Sequence, residues 1–158
     1  MHKASGAVTI GVLSDTHASS IAEISPRILE ALASVDLIVH AGDFVTRDVL
    51  EGLKKLKPVT AVRGNMDSQE VTALLPDKEV FSVGGRKIGV THGSGGPSGI
   101  ARRVRALFDE VDVVIYGHSH VAQNEVIDGV LFFNPGRARE SFGILTIGEE
   151  VRGETIPV

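Results

Sequence analysis

Residues Val111–His120, with the sequence VDVVIYGHSH, show how this chain is built. An apolar run interrupted only by Asp112 ends at Tyr116 and is followed by a glycine and two histidines one residue apart. A short, nearly continuous apolar run is typical of a buried strand. The pattern predicts a strand that delivers two imidazoles to its carboxyl end, facing one common centre. Histidines spaced in this way also occur as ordinary core or surface residues, so the pair alone does not define a metal site.

The composition indicates one domain that acts on small molecules. A chain of 158 residues buries roughly 70% of its unfolded surface when it folds. Aromatic residues make up 4%, tryptophan is absent and the formal net charge is -4. A weakly acidic chain without a dense Lys/Arg block lacks the electrostatic footprint of proteins that bind nucleic acids or anionic membranes. We therefore expect a small-molecule partner, and neither nucleic acid nor membrane.

Cysteine is absent, so the fold has no disulfide and any metal must be held by nitrogen and oxygen ligands. No export signal and no run of roughly 18 apolar residues is visible, which together with the lack of cysteine favours a cytoplasmic protein. Residues 1–7 are predicted to form a flexible N-terminal leader, and residues 8–158 the folded domain.

The first part of the chain alternates between strands and helices. Strands are predicted at Val8–Leu13, Asp36–His40 and Val59–Val62, with helices at Pro26–Ala33 and Asp48–Leu56 between them. This order implies a parallel sheet with right-handed crossovers and with functional loops along one edge.

The remainder of the chain is richer in strands. Antiparallel pairing is predicted after residue 120, and two strand-rich halves, each covered by helices, predict two stacked sheets. The predicted helices are Gln69–Leu74 and a segment that starts at Ser98 or Gly99 and ends near Phe108. The predicted strands are Lys78–Val83, Arg86–Thr91, Val113–Tyr116, Ala122–Ile127, Val130–Phe133, Phe142–Ile147 and Val151–Ile156.

Seven polar residues stand where apolar runs end, and their common position is the main functional signal. Any one of them has an ordinary structural explanation: Asn65 tolerates a left-handed turn, and Asp43 is a plausible helix N-cap. Taken together they predict a functional site, with enough ligands for two metal ions. The seven are Asp15, His17, Asp43, Asn65, His92, His118 and His120.

The chemistry of this set points to phosphoryl transfer. Mixed imidazole, carboxylate and amide ligands suit first-row ions such as Mn, Ni, Fe or Zn better than Mg or Ca. One carboxylate, for which Asp43 is the natural candidate, can bridge two ions roughly 3.5 to 4 Å apart. Such a pair presents a bridging hydroxide at neutral pH and neutralises the oxygens of a phosphoryl group under in-line attack.

These residues stand in motifs that resemble the calcineurin-like metallophosphoesterase superfamily in order and in approximate interval. The short length and the Asn134-Pro135-Gly136 segment resemble its small prokaryotic phosphodiesterase branch. The resemblance implies a four-layer αββα sandwich of two mixed β-sheets flanked by helices in a single domain. The motifs are Asp15-x-His17, Gly42-Asp43, Gly64-Asn65-x-Asp67, Thr91-His92-Gly93 and Gly117-His118-x-His120.

The implied activity is binuclear metal-dependent hydrolysis of a small phosphate diester by the bridging hydroxide. By the same resemblance, one ion would be held by Asp15, His17, Asp43 and His120, and the other by Asp43, Asn65, His92 and His118. The residues implied in catalysis are Asp15, His17, Asp43, Asn65 and His92. Asn65 would also contact the substrate.

The chain departs from the phosphoprotein phosphatases of this superfamily at two positions. Those enzymes carry Asp where Thr46 stands and His where Met66 stands, and that pair is taken to protonate the leaving group. Without it, the enzyme should favour substrates whose leaving group needs little protonation. This agrees with the phosphodiesterase branch and argues against protein phosphatase activity.

Several interpretations stay open from the sequence. Arg137 and Arg139 either clamp a substrate phosphate or are solvated. His40 is a core histidine that could orient a ligand. Arg102, Arg103 and Arg105 are interpreted as the solvated face of a helix.

Rival functions are a phosphomonoesterase on the same site and, from another class, a non-catalytic scaffold of the same fold. The intact set of seven polar residues favours an enzyme over a scaffold. An exposed edge strand near the C-terminus would also let two copies pair as a homodimer.

Overall fold

The computed structural model describes residues 7–44, 46–96 and 98–158. Within these residues, strands β1 to β10 are Val8–Leu13, Leu37–His40, Val59–Ala61, Lys78–Val83, Arg86–Thr91, Val113–Ile115, Gln123–Ile127, Val130–Asn134, Ser141–Ile147 and Val151–Pro157. Helices α1 to α4 are Pro26–Leu32, Arg47–Lys54, Gln69–Leu74 and Ile100–Arg105. Each predicted element is present with ends shifted by at most a few residues. A 3-10 turn at Ile21–Glu23 was not predicted.

The strands form two mixed five-stranded sheets in the orders β10-β9-β1-β2-β3 and β4-β5-β6-β8-β7. In the first sheet β1, β2 and β3 are parallel, as the alternation of strands and helices predicts. In the second sheet β5, β6 and β8 are parallel, while β4 and β7 are antiparallel edge strands. Two mixed sheets flanked by helices confirm the predicted αββα architecture in a single domain.

Two strand pairings differ from the sequence expectation. The antiparallel pairing expected after residue 120 is confirmed for β7 with β8 and for β9 with β10, but β8 also runs parallel to β6, with Leu131 opposite Val113. The final strands also do not extend the second sheet. Instead, β9 pairs with β1 in the first sheet, placing Ile147 opposite Val8. Both differences concern which distant strands become neighbours, and local hydrophobic patterning carries little information about that choice.

Three apolar cores separate the four layers. Between the sheets, Val12 and Val39 of the first sheet share one core with Ile88 and Ile115 of the second. Helices α1 and α2 pack on the outer face of the first sheet, and α4 packs on the outer face of the second. The sheets are thus held rigidly against each other, which fixes the loops at their common edge.

The predicted leader falls almost entirely on residues 1–6, which lie outside the described residues, so that prediction remains untested. In the part of the chain that the structure describes, no helix has the length and apolar character needed to cross a membrane.

Candidate metal centre

The seven candidate residues all lie just beyond the carboxyl end of a strand, in both sheets. A hydrogen bond from His92 Nδ1 to the Ala41 carbonyl, 2.7 Å long, ties the loops of the two sheets together. The backbone N–H of His118 donates to Asp15 Oδ2 at 3.2 Å and makes a second link. Asp15 and His17 follow β1, Asp43 follows β2, Asn65 follows β3, His92 follows β5, and His118 and His120 follow β6.

The first group of side chains surrounds one oxygen of Asp15. Its Oδ1 atom lies 3.2 Å from His120 Nε2 and 3.8 Å from His17 Nε2. The two imidazoles meet edge to face with centroids 5.7 Å apart. Three nitrogen and oxygen atoms therefore converge on one point, within reach of a single ion.

A second group surrounds the side-chain oxygen of Asn65. Asn65 Oδ1 lies 2.9 Å from His92 Nε2 and 3.3 Å from His118 Nδ1. The rings of His92 and His118 again meet edge to face, with centroids 5.2 Å apart. His118 and His120 therefore belong to different groups, although one residue separates them in the chain.

The Asp43 carboxylate lies between the two groups. Its Oδ2 atom is 3.2 Å from His92 Nε2 and 3.9 Å from His17 Nε2. Its Oδ1 atom accepts a 2.7 Å hydrogen bond from the Met66 backbone N–H. One oxygen is thus fixed by the backbone, and the other faces a histidine from each group.

The residues fit a divalent cation. Among the described residues, two buried side-chain atoms have no hydrogen-bond partner, Asp15 Oδ1 and His17 Nε2. They face each other at 3.8 Å. Two ligand atoms that share one ion at roughly 2.1 Å lie about 3 to 4 Å apart, so the observed spacing suits a shared ion and is too long for a hydrogen bond.

Backbone strain is concentrated at this site. Among the described residues other than glycine, six have a positive φ, and five of these are candidate ligands. A left-handed conformation costs an L-residue roughly 1–2 kcal/mol, so the fold holds these residues against their own preference. Strain of this kind is typical of functional sites. The five are Asp15, His17, Asp43, His118 and His120.

Residues around the candidate ligands fix their orientation, and the sequence reasoning assigned them no role. The Asp67 carboxylate accepts backbone N–H groups of Asp43 at 3.1 Å and Gly64 at 2.7 Å. The Ser14 hydroxyl donates to Asp15 Oδ2 at 2.5 Å, which turns Oδ1 toward the histidines. Asp67 and Ser14 lie inside or beside the motifs, and that proximity was the available signal.

Gly64 is required by the close approach of two loops. A Cβ atom at this position would lie 2.1 Å from Asp43 Oδ1 and 2.5 Å from Asp43 N. Any side chain would therefore displace the Asp43 carboxylate.

His40 supports the same loop from the core and is fully buried. Its Nδ1 accepts the Gly42 N–H at 3.0 Å, so the neutral ring carries its proton on Nε2, which lies 3.2 Å from the Thr16 hydroxyl. That hydroxyl donates to the Asp43 carbonyl at 3.3 Å. Burial, reinforced by the charge of His92, lowers the pKa of His40 to about 3. His40 is thus a neutral hydrogen-bonding residue that holds the Asp43 loop.

The charges of His92 and Asp43 are coupled. Burial by itself lowers the pKa of His92, but the hydrogen bond from His92 to Asp43 and the charges of Asp15 and Asp43 outweigh it and raise the pKa. Burial raises the pKa of Asp43, yet its hydrogen bond and charge interaction with His92 bring that pKa down to about 2. In the absence of metal, a protonated His92 and an ionised Asp43 therefore stabilise each other's charge.

The sequence matches the family model of the calcineurin-like phosphoesterase superfamily domain over residues 8–148. The chain belongs to the calcineurin-like phosphoesterase superfamily. The match covers every candidate ligand and strands β1 to β9, which confirms the family predicted from the motifs.

Relatives place the chain among small prokaryotic calcineurin-like phosphoesterases. It is 36% identical to "Probable metallophosphoesterase MJ0623" of Methanocaldococcus jannaschii, over 97% of this chain and 83% of that protein. It is 30% identical to "Phosphodiesterase MJ0936" of the same organism, over 88% of this chain and 90% of that protein. The chain is accordingly a metal-dependent phosphoesterase.

A solved structure of Vps29 from Chaetomium thermophilum has the same fold. Its TM-score is 0.76 at 20% identity, with 95% of this chain and 97% of that chain covered. At this identity the likeness concerns the calcineurin-like phosphoesterase fold alone.

The two departures from the phosphoprotein phosphatases lie close to the site. The Thr46 hydroxyl donates to the Ser19 carbonyl at 2.8 Å, and the Met66 side chain is exposed. Met66 contributes only its backbone N–H, to Asp43. Neither side chain is able to protonate a leaving group.

The two candidate substrate arginines differ in environment. The Arg137 guanidinium pairs with Glu140 on the surface. Arg139 lines a cavity of about 190 Å³ together with His17. Of the two, the structure brings only Arg139 beside a candidate ligand.

Proposed function

We propose that this protein is a binuclear metal-dependent phosphodiesterase that hydrolyses a small phosphate diester. The observation that carries the proposal is the position of Asp43 Oδ2 between two separate groups of ligand atoms, 3.2 Å from His92 and 3.9 Å from His17. Two divalent ions held there would supply an activated water and neutralise the phosphoryl oxygens.

Each ion would have its own set of residues. Asp15, His17, Asp43 and His120 would hold the first, and Asp43, Asn65, His92 and His118 the second. The orientations support this assignment, because His92 Nδ1 and Asp43 Oδ1 are occupied by backbone groups while His92 Nε2 and Asp43 Oδ2 face the centre. The amide of Asn65, the most exposed member of the second set, is also suited to contact a substrate oxygen.

The surroundings support a diester over a monoester. One cavity of about 400 Å³ is lined by Asn65, His92 and Arg63, on the side of the second group. The cavity with Arg139 opens beside His17, on the side of the first group. A diester carries two organic substituents, and each cavity offers room for one of them.

The missing proton donor restricts the leaving group of the substrate. A positioned general acid contributes about 10²- to 10⁴-fold to a rate, and neither Thr46 nor Met66 supplies one. Aryl esters, whose leaving groups depart as stable anions, therefore suit this site better than alkyl esters.

The proposal is tested with matched substrates. Protein loaded with Mn²⁺ or Ni²⁺ is expected to hydrolyse bis-p-nitrophenyl phosphate with a higher kcat/KM than p-nitrophenyl phosphate, measured by release of p-nitrophenolate. Elemental analysis is expected to find two ions per chain. A higher kcat/KM on the monoester would favour a phosphomonoesterase, and fewer than one ion per chain with no hydrolysis would favour a scaffold.

Arg139→Ala is expected to raise KM for the aryl diester by about 10- to 150-fold, because a charge-assisted hydrogen bond contributes roughly 1.5–3 kcal/mol. Arg137→Ala is the matched control and should leave KM near that of the wild type, since Arg137 is paired with Glu140. Initial rates over a range of diester concentrations measure both effects. Equal KM values for the two variants would remove Arg139 from the substrate site.

A further inference from the structure

The Arg103 side chain donates several hydrogen bonds to the glycine-rich loop that precedes α4. Its Nε donates to the Ser94 carbonyl at 3.0 Å and its Nη2 to the same oxygen at 2.7 Å. Its Nη1 donates to the Ser98 carbonyl at 2.9 Å, and Nη2 also donates to the Gly96 carbonyl. Arg103 is exposed, as predicted for the solvated face of the helix, but its guanidinium also joins three backbone carbonyls of a single loop.

The loop that Arg103 holds also contacts a candidate metal ligand. The carbonyl of Gly95 lies 2.9 Å from His118 Nε2. Because a carbonyl oxygen only accepts, this contact places the His118 proton on Nε2 and leaves the lone pair on Nδ1. Nδ1 is the atom that faces Asn65 Oδ1 in the second group, at 3.3 Å.

The loop needs an external support to hold this geometry. Gly93, Gly95 and Gly96 supply little side-chain packing, and Gly93 and Gly95 have φ values of 96° and 77°. Glycine loses more conformational freedom on ordering than other residues. Three carbonyl oxygens close to one point repel one another unless a cation with several N–H donors, such as guanidinium, satisfies them. Lysine lacks the planar fork of donors that this requires.

We propose that Arg103 is a positioning residue for the second metal ion. It holds the loop so that the Gly95 carbonyl keeps the proton of His118 on Nε2 and turns Nδ1 toward the centre. Partners that orient a histidine ligand in this way commonly change metal affinity by about 10- to 100-fold. The inference rests on the proposed function only in requiring a second ion.

The test compares metal binding in three proteins freed of metal by a chelator. Titration of wild type with Mn²⁺, followed calorimetrically, is expected to show two equivalents. Arg103→Ala should bind the first equivalent as the wild type does and the second about 10- to 100-fold more weakly. Arg102→Ala is the matched control, since Arg102 is also exposed on α4, and it should bind both equivalents normally.

Two further readouts separate positioning from a general structural effect. Free guanidinium at millimolar concentration should restore part of the second-site affinity in Arg103→Ala and should have no effect on Arg102→Ala. Nitrogen NMR of metal-free protein should show the His118 proton on Nε2 in wild type and distributed over both nitrogens in Arg103→Ala.

Wild-type affinity for both equivalents in Arg103→Ala would overturn the inference while leaving the proposed function intact. A wild type that binds a single equivalent would instead overturn the binuclear function. If Arg103→Ala unfolds, Arg103→Lys takes its place in the titration. A second equivalent bound normally by Arg103→Lys would show that no guanidinium is needed and would overturn the inference.

Discussion

Asp43→Asn is expected to lower kcat/KM on the aryl diester by about 10³-fold and to reduce the metal content below one ion per chain. Loss of a residue that merely orients a ligand already costs roughly 10- to 100-fold in affinity or activity. Asp43 faces both groups through one oxygen, at 3.2 Å from His92 and 3.9 Å from His17. Its loss should therefore weaken both ions, whereas loss of any single histidine weakens one.

The substitution leaves the fold intact because asparagine has the same shape. Its side-chain oxygen can still accept the Met66 N–H, and asparagine tolerates the left-handed backbone of this position, where φ is 63°. What changes is the charge, which no longer attracts a cation. The change in kcat/KM therefore reports how much the negative charge of Asp43 contributes where the two ions would share a ligand.

Asp128→Asn provides a closely matched control. Asp128 is the remaining non-glycine residue with positive φ among those described, at 51°, and it lies in the turn between β7 and β8. The same chemical change in the same backbone conformation should leave metal content and kcat/KM unchanged. Elemental analysis and diester kinetics measure both variants. Two tightly bound ions in Asp43→Asn would show that Asp43 does not bridge.

Much of the site was predictable because its residues follow strands. Apolar runs such as Val8–Leu13 and the Ile88–Val90 part of β5 define buried strands from local pattern alone. Parallel strands of one sheet then place their carboxyl ends at a common edge, which brings Asp15 after β1 and Asp43 after β2 together without any knowledge of side-chain contacts. The motif order added the division of His118 and His120 between two groups.

The parts that could not be predicted depend on contacts between distant residues. Nothing in the local pattern of β9 shows that it pairs with β1 rather than with β8, since both partners are equally apolar. Arg103 has the sequence context of a solvated helix residue, and only the folded loop shows its three carbonyl contacts. The left-handed backbone of Asp15 is likewise imposed by its surroundings, because local preference opposes it.

The metal-free protein is expected to be most stable near pH 6.5, and His40 causes the loss on the acid side. Its pKa is about 3 in the folded protein against 6.5 in the unfolded chain. Between these values the unfolded state binds the extra proton, so stability falls as pH decreases below 6.5. The slope for one such group approaches about 1.4 kcal/mol per pH unit.

His92 causes a loss on the alkaline side, where the sign is opposite. Its pKa in the folded protein is raised above 6.5 by Asp43 and Asp15 despite burial. The folded state therefore holds a proton that the unfolded state has released. The stability contributed by the His92–Asp43 ion pair is fully present below pH 6.5 and is lost as pH rises through the folded pKa. Asp43 itself loses its contribution only below its unfolded pKa of 3.8 and toward about 2.

Urea unfolding of chelator-treated protein at pH values between 4.5 and 9 measures the loss of stability on both the acid and the alkaline side. His40→Gln retains a hydrogen-bond donor but does not titrate. It should lower the free energy of unfolding at neutral pH and reduce the dependence of that free energy on pH below 6.5. His92→Gln should reduce the dependence of the free energy of unfolding on pH above 6.5 and leave its steep dependence below pH 6.5 unchanged. If His40→Gln kept the wild-type acid slope, His40 would be protonated in the folded protein. A protonated His40 could not accept the Gly42 N–H through Nδ1, so the role of His40 in supporting the Asp43 loop would be wrong.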